Sequence, residues 1–132
     1  AFPIEVTSLG YLNHDDDLNI AYNCADILVV PSIDDNLPNV ALEGLASSTV
    51  IVGFDRAGMS EVIQHMKTGF SIKEVSPRAL AEGIHFIFKN EVLLQTMRRN
   101  ARNLALSEFS LEKQADNYLT LLNELVKETV SQ

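Results

Sequence analysis

The sequence is short of cysteine, of cations and of long apolar runs, and each shortage excludes a class of protein. Its single cysteine, Cys24, excludes an internal disulfide and a cysteine-based zinc site. The 10 Lys and Arg stand against 18 Asp and Glu, so the net charge is -8 and neither a nucleic acid nor an anionic membrane is an expected partner. No apolar run approaches the roughly 20 residues that a membrane-spanning helix needs. The 132 residues, 46% of them hydrophobic, therefore indicate one ordinary globular domain, 1–132.

Several catalytic and nucleotide-binding motifs are also missing. There is no Walker loop and no G-x-G-x-x-G. Ser32 lacks the G-x-S-x-G elbow of a nucleophile, and His14, His65 and His85 lack metal-ligand spacing. The lone cysteine fits a reducing compartment, so we expect a cytoplasmic protein. Because the chain starts at Ala1 rather than Met, without the pattern of a signal peptide, we expect it to be a piece of a longer protein.

Short apolar runs alternate with helical segments through the first part of the chain. Because the middle runs barely alternate in polarity, they are typical of strands buried on both faces of a parallel sheet. The pattern predicts an α/β fold, with a Rossmann-like parallel sheet of about four strands and flanking helices. The predicted strands are Val6–Leu9, Ile27–Val30, Val50–Phe54 and Gly69–Ile72, and the predicted helices between them are Asp16–Asn23, Asn39–Ala46 and Ser60–His65.

The last part of the chain, 76–132, has a purely helical pattern. Ser76 and Pro77 form a helix start, with the serine as N-cap and the proline at the first helical position. Asn90 and Ser110 are predicted to cap a second and a third helix. The third carries an apolar stripe. Over two heptads such a stripe more often packs on the parent domain than forms a coiled coil, so we expect the whole segment to pack on that domain. The stripe residues are Leu111, Ala115, Tyr118, Leu122 and Leu125.

The segment between the second strand and its helix, 31–39, is the richest in polar groups. It contains two carboxylates, two amides and two prolines. With Pro38 in the first helical turn, the N–H groups of Asn39, Val40 and Ala41 would point out of the helix and attract a phosphate. The two carboxylates would then face neutral groups such as sugar hydroxyls. The alternative is a turn that only caps the helix.

Glu43 is the only charged residue between Val40 and Ala46. It lies four residues from both Asn39 and Ser47, so it is equally well explained as part of a polar stripe. The functional interpretation is a carboxylate that bridges two ligand hydroxyls one turn inside the helix.

A second candidate loop, Asp55–Ser60, follows the third strand. Gly58 is interpreted either as a turn glycine or as a point of close ligand approach. Arg56 is a cation close to the end of the predicted strand Val50–Phe54, which makes it a candidate anion contact.

Taken in order, these segments resemble the donor-binding half of retaining glycosyltransferases with the two-domain GT-B architecture, in particular glycosyltransferase family 4, the group 1 type. Asp35 and Glu43 are an acidic residue and a glutamate with seven residues between them. This spacing matches the family's paired carboxylates. The run Asp-Asn-Leu-Pro-Asn at 35–39 resembles a subgroup among bacterial polysaccharide-building enzymes. The other matching segments are Leu9–Tyr11, Ala25–Ser32, Ala57–Ile63 and Thr68–Phe70.

The resemblance implies a role for each residue of the candidate site. Glu43 would bind the ribose hydroxyls of a nucleotide-diphosphate sugar, and Asp35 would bind the donor sugar. Transfer would proceed with retention, without a metal or other cofactor, to a glycan or lipid-linked acceptor held by a domain upstream. The complete enzyme would be cytoplasmic or peripheral to the membrane. The sugar and the diphosphate would be lined by backbone N–H groups of Asn36, Leu37, Asn39 and Val40. Pro38 has no N–H group to contribute. Gly58 would belong to the glycine loop beside them.

The chain departs from the family pattern at three places. Asp35 replaces the more frequent Glu, which shortens its reach. The segment Ser47–Thr49 lacks the usual glycine, so the helix ends without a glycine C-cap. Ala57 replaces the first glycine of the loop.

The family also has parts that would lie upstream of this chain. They include the Arg and Lys that bind the diphosphate, so we expect this chain alone to be inactive. They also include two strands that, in the family's sheet, lie side by side between the strands at Val6–Leu9 and Ile27–Val30. Either Val6–Leu9 pairs with Ile27–Val30 instead, or another chain fills the space. We expect self-association, through the open strand edge or through the apolar stripe of the last helix.

Two other classes remain as alternatives. A receiver-like signalling module is suggested by acidic segments at 15–17 and 34–35, although it needs a lysine at a later strand end, where Arg56 and Lys73 are poorly placed. The second alternative is a catalytically inactive interaction domain derived from the enzyme. The presence of Asp35 and Glu43 does not distinguish it from an active enzyme, because such a domain could keep both residues.

Overall fold

The structure is a computed structural model that describes residues 5–130. Three parallel strands in the order β1-β2-β3 form one sheet, and helices lie against it. The predicted strands at 27, 50 and 69 are confirmed at their predicted bounds. In chain order the elements are α1 Asp15–Cys24, β1 Ile27–Val30, α2 Asn39–Ala46, β2 Val50–Phe54, α3 Met59–Val62, β3 Gly69–Ile72, α4 Pro77–Phe88, α5 Glu91–Glu108 and α6 Leu111–Val130.

The central strand β2 separates two apolar clusters. Every residue of β2 is buried, and successive side chains alternate between the faces of the sheet. Ile51 joins a cluster with Leu45 of α2 and Ala101 of α5. Val50 and Val52 join a second cluster with residues of α4 and α5. The near-continuous apolar strand therefore has the two-sided burial that its sequence predicts.

The fourth predicted strand, Val6–Leu9, is not formed. The segment is irregular, and Val6 and Leu9 are 83% and 62% exposed. Of the two arrangements considered for this segment, pairing with β1 is not observed, since among the described residues β1 pairs with β2 alone. A strand outside a sheet has no partner for its backbone N–H and C=O groups, so this apolar run stays irregular.

The helix starts in 76–132 are formed in different ways. The hydroxyl of Ser76 accepts a hydrogen bond from the Ala79 N–H at 3.1 Å, which confirms the predicted cap. The Ser110 hydroxyl accepts one from the Lys113 N–H at 3.2 Å. Asn90 precedes α5, but its side chain donates to the Phe86 carbonyl instead of capping α5, so that predicted cap is wrong.

The apolar stripe of α6 is exposed, contrary to the packing expected for it. Leu111 is 81% exposed, Tyr118 62% and Leu122 56%. The buried clusters take their helical residues from other helices, namely α2, α3, α4 and α5. Among the described residues no helix has the length and apolarity needed to cross a membrane.

The end of α2 has the geometry of a Schellman motif with serine in the place of glycine. The Thr49 N–H donates to the Gly44 carbonyl at 2.8 Å, and the Ser48 N–H donates to the Leu45 carbonyl at 3.0 Å. Ser48 lies at φ 61°, in the left-handed region that favours glycine. The missing glycine therefore does not change how the helix ends, but it leaves strain at Ser48.

Candidate functional site

The candidate site lies where the carboxyl end of β1 leads into α2. Ligands of open parallel sheets bind at such ends. Helix α2 begins at Asn39 as predicted, but Pro38 occupies the N-cap position, with φ -69° and ψ 127°, instead of the first helical turn. Among the described residues, no side chain caps this helix.

Backbone N–H groups at the start of α2 remain available to a ligand. The N–H groups of Asn36, Leu37, Asn39 and Val40 have no acceptor in the part of the chain that the structure describes. The Ala41 N–H, predicted to be available too, donates to the Pro38 carbonyl at 2.9 Å. An uncapped helix start with unpaired N–H groups is suited to an anionic group such as phosphate.

The loop carboxylates Asp34 and Asp35 are exposed to solvent. Within residues 5–130, neither has a hydrogen bond or an ion pair. Asp35 is thus positioned by the loop backbone alone, beside the N–H groups of Asn36 and Leu37.

Glu43 has a partner that the sequence reasoning missed. The Tyr22 hydroxyl, on α1, donates to Glu43 Oε2 at 2.8 Å. This partner is neutral and lies 21 residues away on another helix, so no pattern local to α2 indicates it. Burial, followed by the hydrogen bond to Glu43 and its charge, raises the pKa of Tyr22 to about 12. The hydroxyl therefore keeps its proton and remains a donor at neutral pH.

A recess of about 340 Å³ opens between α1 and α2. The Ser47 hydroxyl and Asn19 Oδ1 lie 3.5 Å apart across the two helices, so the polar stripe of α2 contacts α1 at Ser47 as well as at Glu43. The recess is lined by Asp15, Leu18, Asn19, Tyr22, Glu43, Ala46 and Ser47.

Gly58 lies against the backbone of the first loop. A Cβ atom built on it would lie 1.2 Å from the Asn36 carbonyl oxygen, so no side chain fits there. Its φ of -71° is ordinary, so close approach and not an unusual conformation requires the glycine. The neighbouring Ala57 has φ 45°, in the left-handed region that favours glycine. Gly58 thus determines how closely the two loops pack.

Arg56, the candidate anion contact, uses part of its guanidinium for contacts within the protein. Its guanidinium donates to the carbonyl of Asp55 at 3.1 Å and to that of Lys73 at 3.2 Å. It therefore joins the end of β2 to the residue after β3.

The geometry does not favour the receiver-like alternative. The residues Asp15, Asp16 and Asp17 form the first turn of α1 instead of a loop at a strand end. Within the described residues, no group of three or more His, Cys, Asp and Glu side chains is placed to hold a metal ion.

Comparison with known sequences identifies relatives of this chain. A family model described as glycosyl transferases group 1 matches residues 3–104. The N,N'-diacetylbacillosaminyl-diphospho-undecaprenol alpha-1,3-N-acetylgalactosaminyltransferase of Campylobacter jejuni is 30% identical over 112 residues, which make up 85% of this chain and 29% of that protein. The chain spans 27% to 33% of the length of the first curated relatives that it matches.

Solved structures share the fold. A glycosyltransferase from Rickettsia africae matches with a TM-score of 0.76 and 26% identity, over 87% of this chain and 31% of the other. Anabaena Alr3699/HepE, in complex with UDP-glucose, matches with a TM-score of 0.64 over 84% of this chain and 29% of the other. Because the second protein is only 20% identical, its similarity indicates a shared fold and nothing further.

Proposed function

The chain belongs to the group 1 glycosyltransferase family, and we propose that it is the C-terminal, donor-binding part of an enzyme that moves a sugar from a nucleotide-diphosphate sugar to a glycan or lipid-linked acceptor. Transfer with retention, of a hexosyl or related group, is part of the proposal. Its sheet and helices are those of a GT-B glycosyltransferase. A catalytically inactive interaction domain has no specific observation in its favour.

One observation carries the proposal: the uncapped start of α2, with four backbone N–H groups that have no acceptor among the described residues. A diphosphate placed there would receive hydrogen bonds from Asn39 and Val40 and the favourable end of the helix dipole. The donor sugar would then lie toward Asp35, and the ribose would lie toward Glu43, about one turn into the helix.

The chemistry follows from this placement. As the bond from sugar to diphosphate breaks, negative charge builds up on the departing phosphate, where the fixed N–H groups stabilise it. Asp35 and Glu43 would orient the sugar and the ribose, so catalysis rests mainly on positioning. With a net charge of -8 and a quarter to a third of its relatives' length, this chain would be inactive without the cations and the acceptor domain of the remaining protein.

The acceptor class and location are inferred from a relative. The Campylobacter jejuni protein is named for transfer of N-acetylgalactosamine to a diphospho-undecaprenol-linked sugar. A lipid-linked acceptor in the synthesis of a bacterial glycan or polysaccharide fits that similarity. The enzyme would then work in the cytoplasm, at the membrane surface.

The test removes one N–H group from the helix start. In the complete enzyme, Asn39→Pro deletes that donor at the first helical position, where proline is tolerated, and Pro38 already has the extended conformation that a following proline requires. Asn39→Ala, which removes the side chain and keeps the N–H, is the matched control.

We expect Asn39→Pro to weaken binding of a nucleoside diphosphate about tenfold or more relative to Asn39→Ala, measured by titration calorimetry, because a hydrogen bond to a charged group contributes about 1.5–3 kcal/mol. Both variants should melt near the wild-type temperature. Equal affinities for the two variants would refute the proposed diphosphate site.

A further inference from the structure

We propose that Tyr22 is a positioning residue for the donor site, which holds the Glu43 carboxylate in the orientation that receives the ribose hydroxyls. The inference rests on the proposed function and adds to it a residue on a different helix. Its basis is the 2.8 Å hydrogen bond from the Tyr22 hydroxyl to Glu43 Oε2 at the edge of the recess between α1 and α2.

The bond occupies one carboxylate oxygen and leaves the other. Among the described residues, Glu43 Oε1 has no hydrogen-bond partner, and Glu43 is exposed to solvent. A carboxylate has about four acceptor sites on its two oxygens, so Tyr22 and the ribose hydroxyls can bind Glu43 at the same time.

Tyr22 is itself held from the sheet side. Its carbonyl accepts a hydrogen bond from the Thr49 hydroxyl at 2.7 Å, and Thr49 is fully buried immediately before β2. The same carbonyl accepts the Ala25 N–H at 3.1 Å. The ring therefore projects from a fixed backbone, whereas Glu43 has a long, exposed side chain.

Fixing Glu43 before the donor arrives has a predictable benefit. An unrestrained glutamate loses rotamer freedom when it binds a ligand, and prior restraint removes that cost. The benefit acts on binding, because the ribose contact is the same in the bound donor and in the transition state.

Tyr22→Phe in the complete enzyme tests the inference, since it removes the hydroxyl and keeps the ring. We expect KM for the donor to rise about fivefold to tenfold with kcat nearly unchanged. Tyr118→Phe, at an exposed tyrosine of α6, is the matched control and should leave both constants unchanged.

Two further measurements separate positioning from a general structural effect. In the background of Glu43→Ala, the added Tyr22→Phe should cause no further loss of affinity. Calorimetry with UDP, GDP and ADP identifies the nucleotide that the wild-type enzyme binds most tightly. Tyr22→Phe should bind that nucleotide with lower affinity than wild type does. The difference in affinity between the two proteins should be smaller for the 2′-deoxyribose form of the same nucleotide.

The outcomes distinguish the inference from the proposed function. If Glu43→Ala weakens donor binding and Tyr22→Phe does not, the inference is wrong and the proposed function stands. If Tyr22→Phe costs as much with Ala at 43 as with Glu, Tyr22 does not act through Glu43 and the inference is wrong. If none of the three diphosphates binds the wild-type enzyme, the proposed function fails, and the inference fails with it.

Discussion

Glu43 has a structural contact in addition to the ligand-binding role that we propose for it. Its position in an otherwise uncharged stretch of α2 suggested that it is either solvent-exposed or reserved for a ligand. The structure shows a third possibility, a hydrogen bond to Glu43 from a neutral donor on α1. Removal of Glu43 therefore has a cost in stability as well as an expected cost in donor binding, and the two must be measured separately.

We predict that Glu43→Ala in the complete enzyme lowers kcat/KM for the donor roughly a hundredfold, because two charge-assisted hydrogen bonds to the ribose are lost. Loss of the Tyr22 bond should reduce the free energy of unfolding by about 1 kcal/mol. Asp35→Ala should instead lower kcat, since its contact is to the sugar that moves.

Donor saturation kinetics and a thermal melt of each variant check these values. Glu74→Ala, at an exposed carboxylate outside the site, is the control and should match wild type in both. Unchanged kinetics for Glu43→Ala would reduce the residue to a structural link between α1 and α2.

Helix α2 is the element that brings the candidate site together. Its start is uncapped and presents N–H groups, its exposed side carries Glu43, and its buried side places Ala41 and Leu45 in the core. Its end closes through the left-handed Ser48. The helix is thus anchored by packing and by its C-terminal motif, while the N–H groups of Asn39 and Val40 at its start have no acceptor among the described residues.

We predict that Ser48→Gly stabilises the protein by about 1 kcal/mol, because a side chain in the left-handed conformation is strained and glycine is not. The midpoint of urea unfolding should rise without a change in slope. Ser48→Ala, which keeps the Cβ atom, should not show this gain, and a destabilised glycine variant would contradict the strain at φ 61°.

The molecule exposes two apolar surfaces that suit association. One is the open edge of β1, where Val29 is 38% exposed. The other is the α6 stripe, in which Tyr118 and Leu122 are more than half exposed. Such exposed surfaces are expected of a chain that spans only 27% to 33% of the length of the first curated relatives that it matches.

We predict that the chain by itself self-associates at high micromolar concentration, because unpaired strand edges and apolar stripes are sites of association. Sedimentation velocity should detect a species larger than the monomer. Leu122→Glu should remove it if α6 is the interface, and Val29→Lys should do so if the β1 edge is.

Thr120→Glu, which adds the same charge away from the α6 stripe, is the control for Leu122→Glu. A strict monomer for the wild-type chain would contradict the prediction.

The sequence by itself determined β1, β2, β3 and α2 to the residue, because their signals are local: a run of apolar side chains, or a proline beside a helix start. It also placed the candidate site at the start of α2. Only the tertiary structure decided that Tyr22 bonds Glu43, that Gly58 lies against the Asn36 carbonyl, and that Val6–Leu9 forms no strand. Each of these depends on which distant segment becomes a neighbour in space, and a strand or a carboxylate takes its role from that neighbour as much as from its own residues.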